Sequence, residues 1–91
     1  MNGIWIRSQN KMSLIFANRL EIMSRNDGKA RIVNWVDGVN SYDLLGEYTT
    51  ETRALDVLND IYAKIIEIDY ARFLGCENEL HQTPIYQMPQ E

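Results

Sequence analysis

Cysteine, histidine and proline are scarce in this sequence. Its 91 residues contain one cysteine, Cys76, one histidine, His81, and two prolines. A single cysteine cannot form an intramolecular disulfide, and these two residues alone cannot make a zinc site. A catalytic pair of Cys76 and His81 is conceivable, but an isolated thiol and a loop histidine explain them better. We therefore predict neither a metal nor another cofactor.

Positive charge and long apolar runs are also in short supply. The chain has 9 lysines and arginines against 13 aspartates and glutamates, and its net charge is −4. Binding nucleic acid through its phosphates requires a basic surface, which this balance does not provide. No apolar run approaches the roughly 18–20 residues of a membrane span, and the N-terminus lacks the basic and apolar regions of a signal peptide. We expect no nucleic-acid partner, no membrane association and a cytoplasmic location.

The length and composition are those of one small folded domain, residues 1–91. Hydrophobic residues make up 45% of the chain and charged residues 24%, which is ordinary for a globular protein. A domain of this size buries a limited share of its surface, so its stability margin is small. Because small domains often gain burial by associating, we expect a homo-oligomer.

The first half of the chain has the pattern of short strands joined by turns. Four segments carry it: Ile4–Arg7, residues 12–23, Ala30–Val36 and Tyr42–Tyr48. Asp-Gly pairs at residues 27–28 and 37–38 separate the later strands, and this dipeptide favours hairpins because it accepts positive φ angles. An antiparallel meander is the expected result. Gly46, inside the last of these strands, is expected at a bulge or a close backbone contact.

The period then changes to that of a helix running from about Glu51 to about Arg72. Thr49 or Thr50 can cap its start, and Gly75 can end it. Five apolar residues recur at helical spacing, with Leu55, Tyr62 and Ile66 broadening their stripe: Ala54, Leu58, Ile61, Ile65 and Ile68. A partner-binding seam is the alternative use of this stripe, but packing on the sheet explains it better.

A short edge strand is expected near the C-terminus, at residues 85–88, because Pro84 and Pro89 bracket it and proline is tolerated at sheet edges. The predicted fold is therefore α+β: an antiparallel sheet of four to five strands, one long helix on one face, and this edge strand. A single helix cannot cover both faces of such a sheet.

Three stretches resemble a family of short proteins from phages, prophages and chromosomes of Gram-positive bacteria. They are "WIRSQNK" at residues 5–11, "LGEYTTETRALDVLNDIYAKI" at 45–65 and "IYQMPQE" at 85–91. Family members typically begin Met-Trp-Ile-Arg-Ser-Gln, so residues 1–4 depart from the pattern, and residues 23–39 differ freely. The resemblance does not assign an activity. It implies a phage-borne accessory protein, a class that often occupies a host protein or removes a signalling molecule.

Motifs of catalysis are missing. We find no glycine-rich phosphate loop, no nucleophile elbow and no metal-spaced ligand cluster. Carboxylates are plentiful, but solvated side chains explain them better than paired acid–base catalysis: Asp43, Glu47, Asp56, Asp60, Glu67 and Asp69. We therefore predict that the protein is not an enzyme.

The candidate binding site comes from strand alternation. Trp5 and Arg7 share one side of the first strand, and Arg31 and Trp35 share one side of the third. If both sides face away from the helix, these four residues form one surface suited to a planar anionic ligand, because rings stack on bases and guanidinium groups grip phosphate. Tyrosines at the rim complete the site: Tyr42, Tyr48 and Tyr86.

Two other interpretations of these residues stay open. Tryptophan in a small protein often fills the core while arginine extends to water, and the same residue types are enriched at protein interfaces. We expect a non-enzymatic phage or prophage binding protein that sequesters a host molecule in counter-defence, in the host cytoplasm. Its target would be a nucleotide-derived immune signal or a host defence protein. The alternative is a structural or assembly module that binds only other proteins.

Overall fold

A computed structural model of the chain describes residues 3–73 and 85–91. These residues form six strands and one helix in the following order: β1 Ile4–Arg7, β2 Leu14–Ala17, β3 Leu20–Ser24, β4 Ala30–Trp35, β5 Tyr42–Tyr48, α1 Glu51–Phe73 and β6 Ile85–Gln87. The α+β class is confirmed. The predicted stop at Gly75 and the pair Cys76 and His81 lie outside the described residues.

The strands form two three-stranded sheets, so the expected single sheet of four to five strands is wrong. One sheet, here the N-terminal sheet, has the order β2-β1-β6, and the other, the meander sheet, has the order β3-β4-β5. The division falls at residues 18–19, where the apolar run 12–23 was expected to continue as one strand. Asn34 Oδ1 accepts the N–H groups of Asn18 and Arg19 at 3.2 and 3.0 Å. This contact holds the chain where it leaves one sheet for the other.

The C-terminal strand lies at a sheet edge as predicted, but it runs parallel to β1. Trp5 is opposite Ile85 and Arg7 is opposite Gln87, and the Met88 N–H donates to the Arg7 carbonyl at 3.1 Å. The expected all-antiparallel sheet is therefore wrong at this strand. Parallel neighbours need a long connection, and the chain between β1 and β6 contains every other element.

One core joins the inner faces of both sheets to the helix. In β1, Ile4 and Ile6 are buried and Trp5 is exposed, as alternation predicts. In β4, Ala30 and Ile32 belong to the core. The helix contributes residues spaced by three or four positions: Ala54, Val57, Ile61, Ile65 and Ile68. Because the core takes up the inner side of each strand, the outer side remains for binding.

The buried stripe of α1 is narrower than the sequence suggested. Leu58 is only half-buried and Val57 takes its place in the core. Leu55, Tyr62 and Ile66, expected to broaden the stripe, are exposed by 49, 63 and 49%. At about 100° per residue they lie on the solvent side of the helix. Thr50 caps the helix as expected, since its Oγ1 accepts the Arg53 N–H at 3.1 Å.

Both Asp-Gly turns and the irregularity at Gly46 are confirmed. Gly28 and Gly38 have φ angles of 86° and 79°, the left-handed region that favours glycine. Gly46 is opposite Ile32, next to a register shift between β4 and β5. A Cβ at Gly46 would come within 3.1 Å of Tyr48 and 3.3 Å of Met88. Its missing side chain therefore makes room for both.

The C-terminal segment is held by the residues that follow β1. The Gln9 Nε2 group donates to the carbonyl oxygens of Glu47, Pro89 and Gln90 at 3.0, 3.2 and 3.0 Å. The Gln9 Oε1 atom accepts the Glu47 N–H at 2.9 Å. Met88, between these contacts and the core, is fully buried. One glutamine thus joins three segments that are distant in sequence.

Candidate functional site

The outer side of the N-terminal sheet carries an exposed apolar surface. Register places Trp5 between Phe16 on β2 and Ile85 on β6, and places Arg7 opposite Leu14. The Trp5 and Phe16 rings meet edge-to-face with centroids 5.4 Å apart. We call this surface the Trp5 face; all four of its large apolar side chains are exposed, by 38 to 51%. Among the described residues that this register brings together, Arg7 is the cation.

The outer side of the meander sheet carries a second aromatic pair. Trp35 and Tyr42 are opposite each other in the register of β4 and β5, and their rings meet edge-to-face at 5.2 Å. The Trp35 indole N–H donates to Glu21 Oε2 at 2.5 Å. The indole is therefore held from two sides, by the Glu21 carboxylate and by the Tyr42 ring.

An open groove of about 490 Å³ runs beside this pair. It has an apolar wall and a polar rim, lined by Arg19, Leu20, Glu21, Trp35, Val36, Val39 and Asn40. We call it the Trp35 groove. Arg19 is its cation: the guanidinium lies 3.6 Å from the Asp37 carboxylate, and both side chains are mostly exposed. Such an ion pair in water is weak, so the Arg19 guanidinium can turn to an anionic ligand at little cost.

The Arg31 guanidinium is less free than that of Arg19 to turn to an anionic ligand. Its Nε donates to Glu47 Oε2 at 3.0 Å, and the same oxygen accepts from Arg25 Nη1 at 2.9 Å. Lys29 Nζ lies 3.8 Å from the other oxygen. The hydrogen bond from Arg31 lowers the pKa of Glu47, desolvation opposes this, and the hydrogen bond from Arg25 lowers the pKa further. The same contact with Glu47 raises the pKa of Arg31. Three cations thus share one carboxylate.

This cluster predicts a specific dependence of stability on acid. Because the pKa of Glu47 is lower in the folded chain than in the unfolded one, its stabilisation is complete above the unfolded value. It is lost as the pH falls through the folded value. We expect Glu47→Gln to flatten the acid limb of a plot of urea midpoint against pH, measured from about pH 7 to about pH 3.

Asp27→Asn is the matched control for Glu47→Gln. The Asp27 carboxylate also pairs with Arg25, at 3.4 Å, and accepts the Lys29 backbone N–H, whereas the charged groups of Lys29 and Arg31 pair with Glu47. An acid limb that is the same in Glu47→Gln and in the unaltered chain would contradict the role given to the cluster.

The predicted tyrosine rim is only partly correct. Tyr42 is exposed beside Trp35. Tyr48 is buried and belongs to the core, and its hydroxyl donates to the Pro89 carbonyl at 2.9 Å. Burial raises the pKa of Tyr48 to about 12. Tyr86 is half-buried and donates to Asp60 Oδ2 at 2.7 Å. Tyr48 faces inward because alternation along β5 gives it the same side as Gly46, so it cannot line a surface site.

The four principal candidates divide between the two sheets. Trp5 and Arg7 point outward from the N-terminal sheet, and Arg31 and Trp35 lie on the outward-facing side of the meander sheet. The structure therefore does not place them on one sheet face. Arg19, which lies beside Trp35, was missed. The signal for it was the polar pair at residues 18–19, which interrupts an otherwise apolar run.

In the part of the chain that the structure describes, no group of three or more histidine, cysteine, aspartate or glutamate side chains is arranged to hold a metal ion. The one helix described, α1, does not combine the length and apolar character needed to cross a membrane. Comparisons with protein families, with curated proteins and with solved structures each found no match. The candidate site therefore rests on its own geometry.

Proposed function

We propose that the protein is a non-catalytic binding protein that sequesters a planar anionic ligand, such as a nucleotide-derived signal, in the Trp35 groove. The observation that carries the proposal is the fixed indole of Trp35 beside the weakly paired guanidinium of Arg19. The groove volume of about 490 Å³ falls within the roughly 300–1,000 Å³ typical of small-molecule sites.

Each part of the ligand has a complementary wall. A base can stack on the Trp35 ring, because every base has a π face and stacking contributes about 1–3 kcal/mol. The side chains of Val36 and Val39 supply apolar area. The Arg19 guanidinium can bind a phosphate with two parallel N–H donors. Glu21 holds the indole edge through its hydrogen bond, so binding does not require ordering of that ring.

The biological setting belongs to the same proposal. Residues 5–11, 45–65 and 85–91 resemble short phage and prophage proteins, which supports an accessory protein acting in the host cytoplasm. Sequestration needs no turnover, only stoichiometric amounts of protein and a tight site. Counter-defence is the setting that suits such an activity, with an immune signal as the molecule removed.

Ligand binding is tested with the full chain and a panel of nucleotides, cyclic nucleotides and dinucleotides. We expect a thermal shift with at least one member, and recovery of that compound intact after the protein is denatured. Arg19→Ala should weaken binding by about 10- to 150-fold, the equivalent of losing about 1.5–3 kcal/mol of charged hydrogen bonding. It should change the free energy of unfolding by less than about 1 kcal/mol, because its partner Asp37 is exposed.

Arg7→Ala is the matched control, since Arg7 is an exposed arginine on the other sheet. We expect it to leave the affinity unchanged. Equal losses of affinity in Arg7→Ala and Arg19→Ala would show that the ligand does not bind in the Trp35 groove. Chemical conversion of the bound compound would make the protein an enzyme.

A protein–protein interaction module is the second candidate, and the Trp5 face favours it. Exposed aromatic rings and one arginine on a sheet face suit a protein partner better than a small molecule. If no compound of the panel shifts the melting temperature, and Trp5→Ala but not Trp35→Ala abolishes an association with a host protein, this candidate replaces the first.

A further inference from the structure

The four outer strands of the two sheets differ in how their free edges are protected. Edge strands expose unpaired backbone groups, and proteins usually block them with charge, proline or another segment. The edge of β5 is covered, because Gln9 N–H donates to the Leu45 carbonyl at 2.8 Å and the Gln9 side chain bonds both backbone groups of Glu47. The edge of β6 is short, since the strand has three residues, and Pro89 lies two positions after its end. Strand β3 carries Glu21, with Arg19 and Arg25 beside its ends.

Strand β2 has none of these protections within its own residues. Its sequence is Leu-Ile-Phe-Ala, and residues 12–18 contain neither a charge nor a proline. In the described ranges, 3–73 and 85–91, it pairs with β1 alone. An uncharged edge segment that carries Ile15 and Phe16, residue types that favour strands, is the kind that pairs with an identical strand.

The free backbone groups of β2 can be assigned. The Ser8 N–H donates to the Ser13 carbonyl, whereas the Arg7 carbonyl accepts from Met88 on the other side of β1. Backbone N–H and C=O groups alternate sides along a strand. Those of Ile4 and Ile6 therefore point to β2, where their partners are Ala17 and Ile15. The N–H and C=O groups of Leu14 and Phe16 must then point to the open edge.

We propose that this edge pairs with β2 of a second copy of the chain, antiparallel, about a two-fold axis at Ile15. Leu14 of each copy lies opposite Phe16 of the other, and the two pairs exchange four backbone hydrogen bonds. The N-terminal sheets of the two copies, with three strands each, become one sheet of six strands. This interface does not depend on the ligand-binding function proposed above.

A second copy suits the edge better than an unrelated strand for two reasons. The pattern is self-complementary, because the same two residues supply donors and acceptors on both sides of the axis. No charge lies within residues 12–18, so no like charges are opposed inside the paired strands, and the flanking cations Lys11 and Arg19 lie beyond them. Apolar Leu14 and Phe16 side chains contact across the seam. Short edge pairing buries less than the roughly 1,200 Å² of a standard interface, so we expect a dimer that dissociates at about micromolar concentration.

The test is sedimentation velocity on the full chain from about 1 to about 300 µM, together with amide hydrogen exchange by NMR. We expect a monomer–dimer equilibrium, and slower exchange of the Leu14 and Phe16 amides as the concentration rises. Leu14→Pro should weaken the dimer by about 30-fold, because it removes two of the four donors. It should fold normally, since proline is tolerated where a strand N–H faces outward. If it does not fold, Leu14→Lys tests the same edge by placing a charge there.

Two matched variants separate this edge from other surfaces. Ile85→Lys alters the far strand of the Trp5 face, and Ile66→Lys alters the solvent side of α1; both side chains are 49% exposed. We expect neither variant to change the dimer. A chain that is monomeric throughout overturns the proposal, as does a dimer that survives Leu14→Pro but is lost in Ile85→Lys or Ile66→Lys.

Discussion

Replacing Gln9 with alanine is expected to lower the free energy of unfolding by about 2–3 kcal/mol. The side chain donates to three carbonyl oxygens and accepts the Glu47 N–H, and it is only half-exposed, so water restores these bonds in part. A domain of this size has about 5–13 kcal/mol in total, and the loss is therefore a large share. Urea denaturation followed by circular dichroism measures it.

Two variants separate the hydrogen bonds of Gln9 from its bulk. Gln90→Ala removes one donated bond, Gln90 Nε2 to the Gln9 carbonyl at 2.7 Å, and should cost less than about 1 kcal/mol because the side chain is exposed. Gln9→Glu keeps the acceptor for Glu47 but turns a carboxylate oxygen toward the three carbonyls. We expect it to be at least as destabilising as Gln9→Ala. A Gln9→Glu variant as stable as the unaltered chain would show that these donors are unimportant.

The contacts of Gln9 join three stretches that are distant in sequence. Residues 5–11, 45–65 and 85–91 meet around this side chain, with Tyr48 donating to Pro89 and Arg53 Nε donating to the Glu91 carbonyl at 2.9 Å. These stretches hold the sheets and the C-terminal segment together. Many residues of these stretches therefore have structural contacts, whereas the Trp35 groove lies among residues 19–40.

Local sequence pattern was sufficient for several of the elements, although not for the division of residues 12–23 into β2 and β3. Strand alternation predicted β1 and β5 at their observed bounds, and the change of period predicted α1 to within a residue of its end. The two Asp-Gly pairs and Gly46 had local backbone reasons to be where they are. The buried phase of the helix was less certain, because Leu55, Tyr62 and Ile66 are as apolar as the residues that face the core. Only the packed sheet decides between those two sides.

The division into two sheets could not be read from alternation. It depends on Asn34 reaching back to residues 18–19, a contact across 15 and 16 positions of the chain. The parallel direction of β6 is also set by tertiary structure and not by its three residues. The same limit applies to the site: alternation placed Arg31 and Trp35 on one side, but it could not reveal that Glu47 binds Arg31 while Arg19 lies beside Trp35.

Replacing Asn34 with leucine is expected to lower the free energy of unfolding by about 2–4 kcal/mol. The residue is 5% exposed, and its Oδ1 atom accepts the backbone N–H groups of Asn18 and Arg19. Leucine has a similar size but no acceptor, so two backbone donors lose their partner where little water can replace it, at about 1–3 kcal/mol each. Urea denaturation at neutral pH is the measurement.

Asn34→Asp tests whether the acceptor is the cause, because it retains an oxygen at this position. We expect it to recover most of the stability lost in Asn34→Leu, since two N–H donors favour a carboxylate there.

Arg19 lines the Trp35 groove, and the backbone N–H of Trp35 donates to the Arg19 carbonyl at 2.9 Å. Asn34→Leu should therefore also weaken any ligand held in the groove, at temperatures where it is still folded, while Asn34→Asp should not. Equal stability of Asn34→Leu and Asn34→Asp would mean that the acceptor does not hold the chain between the sheets.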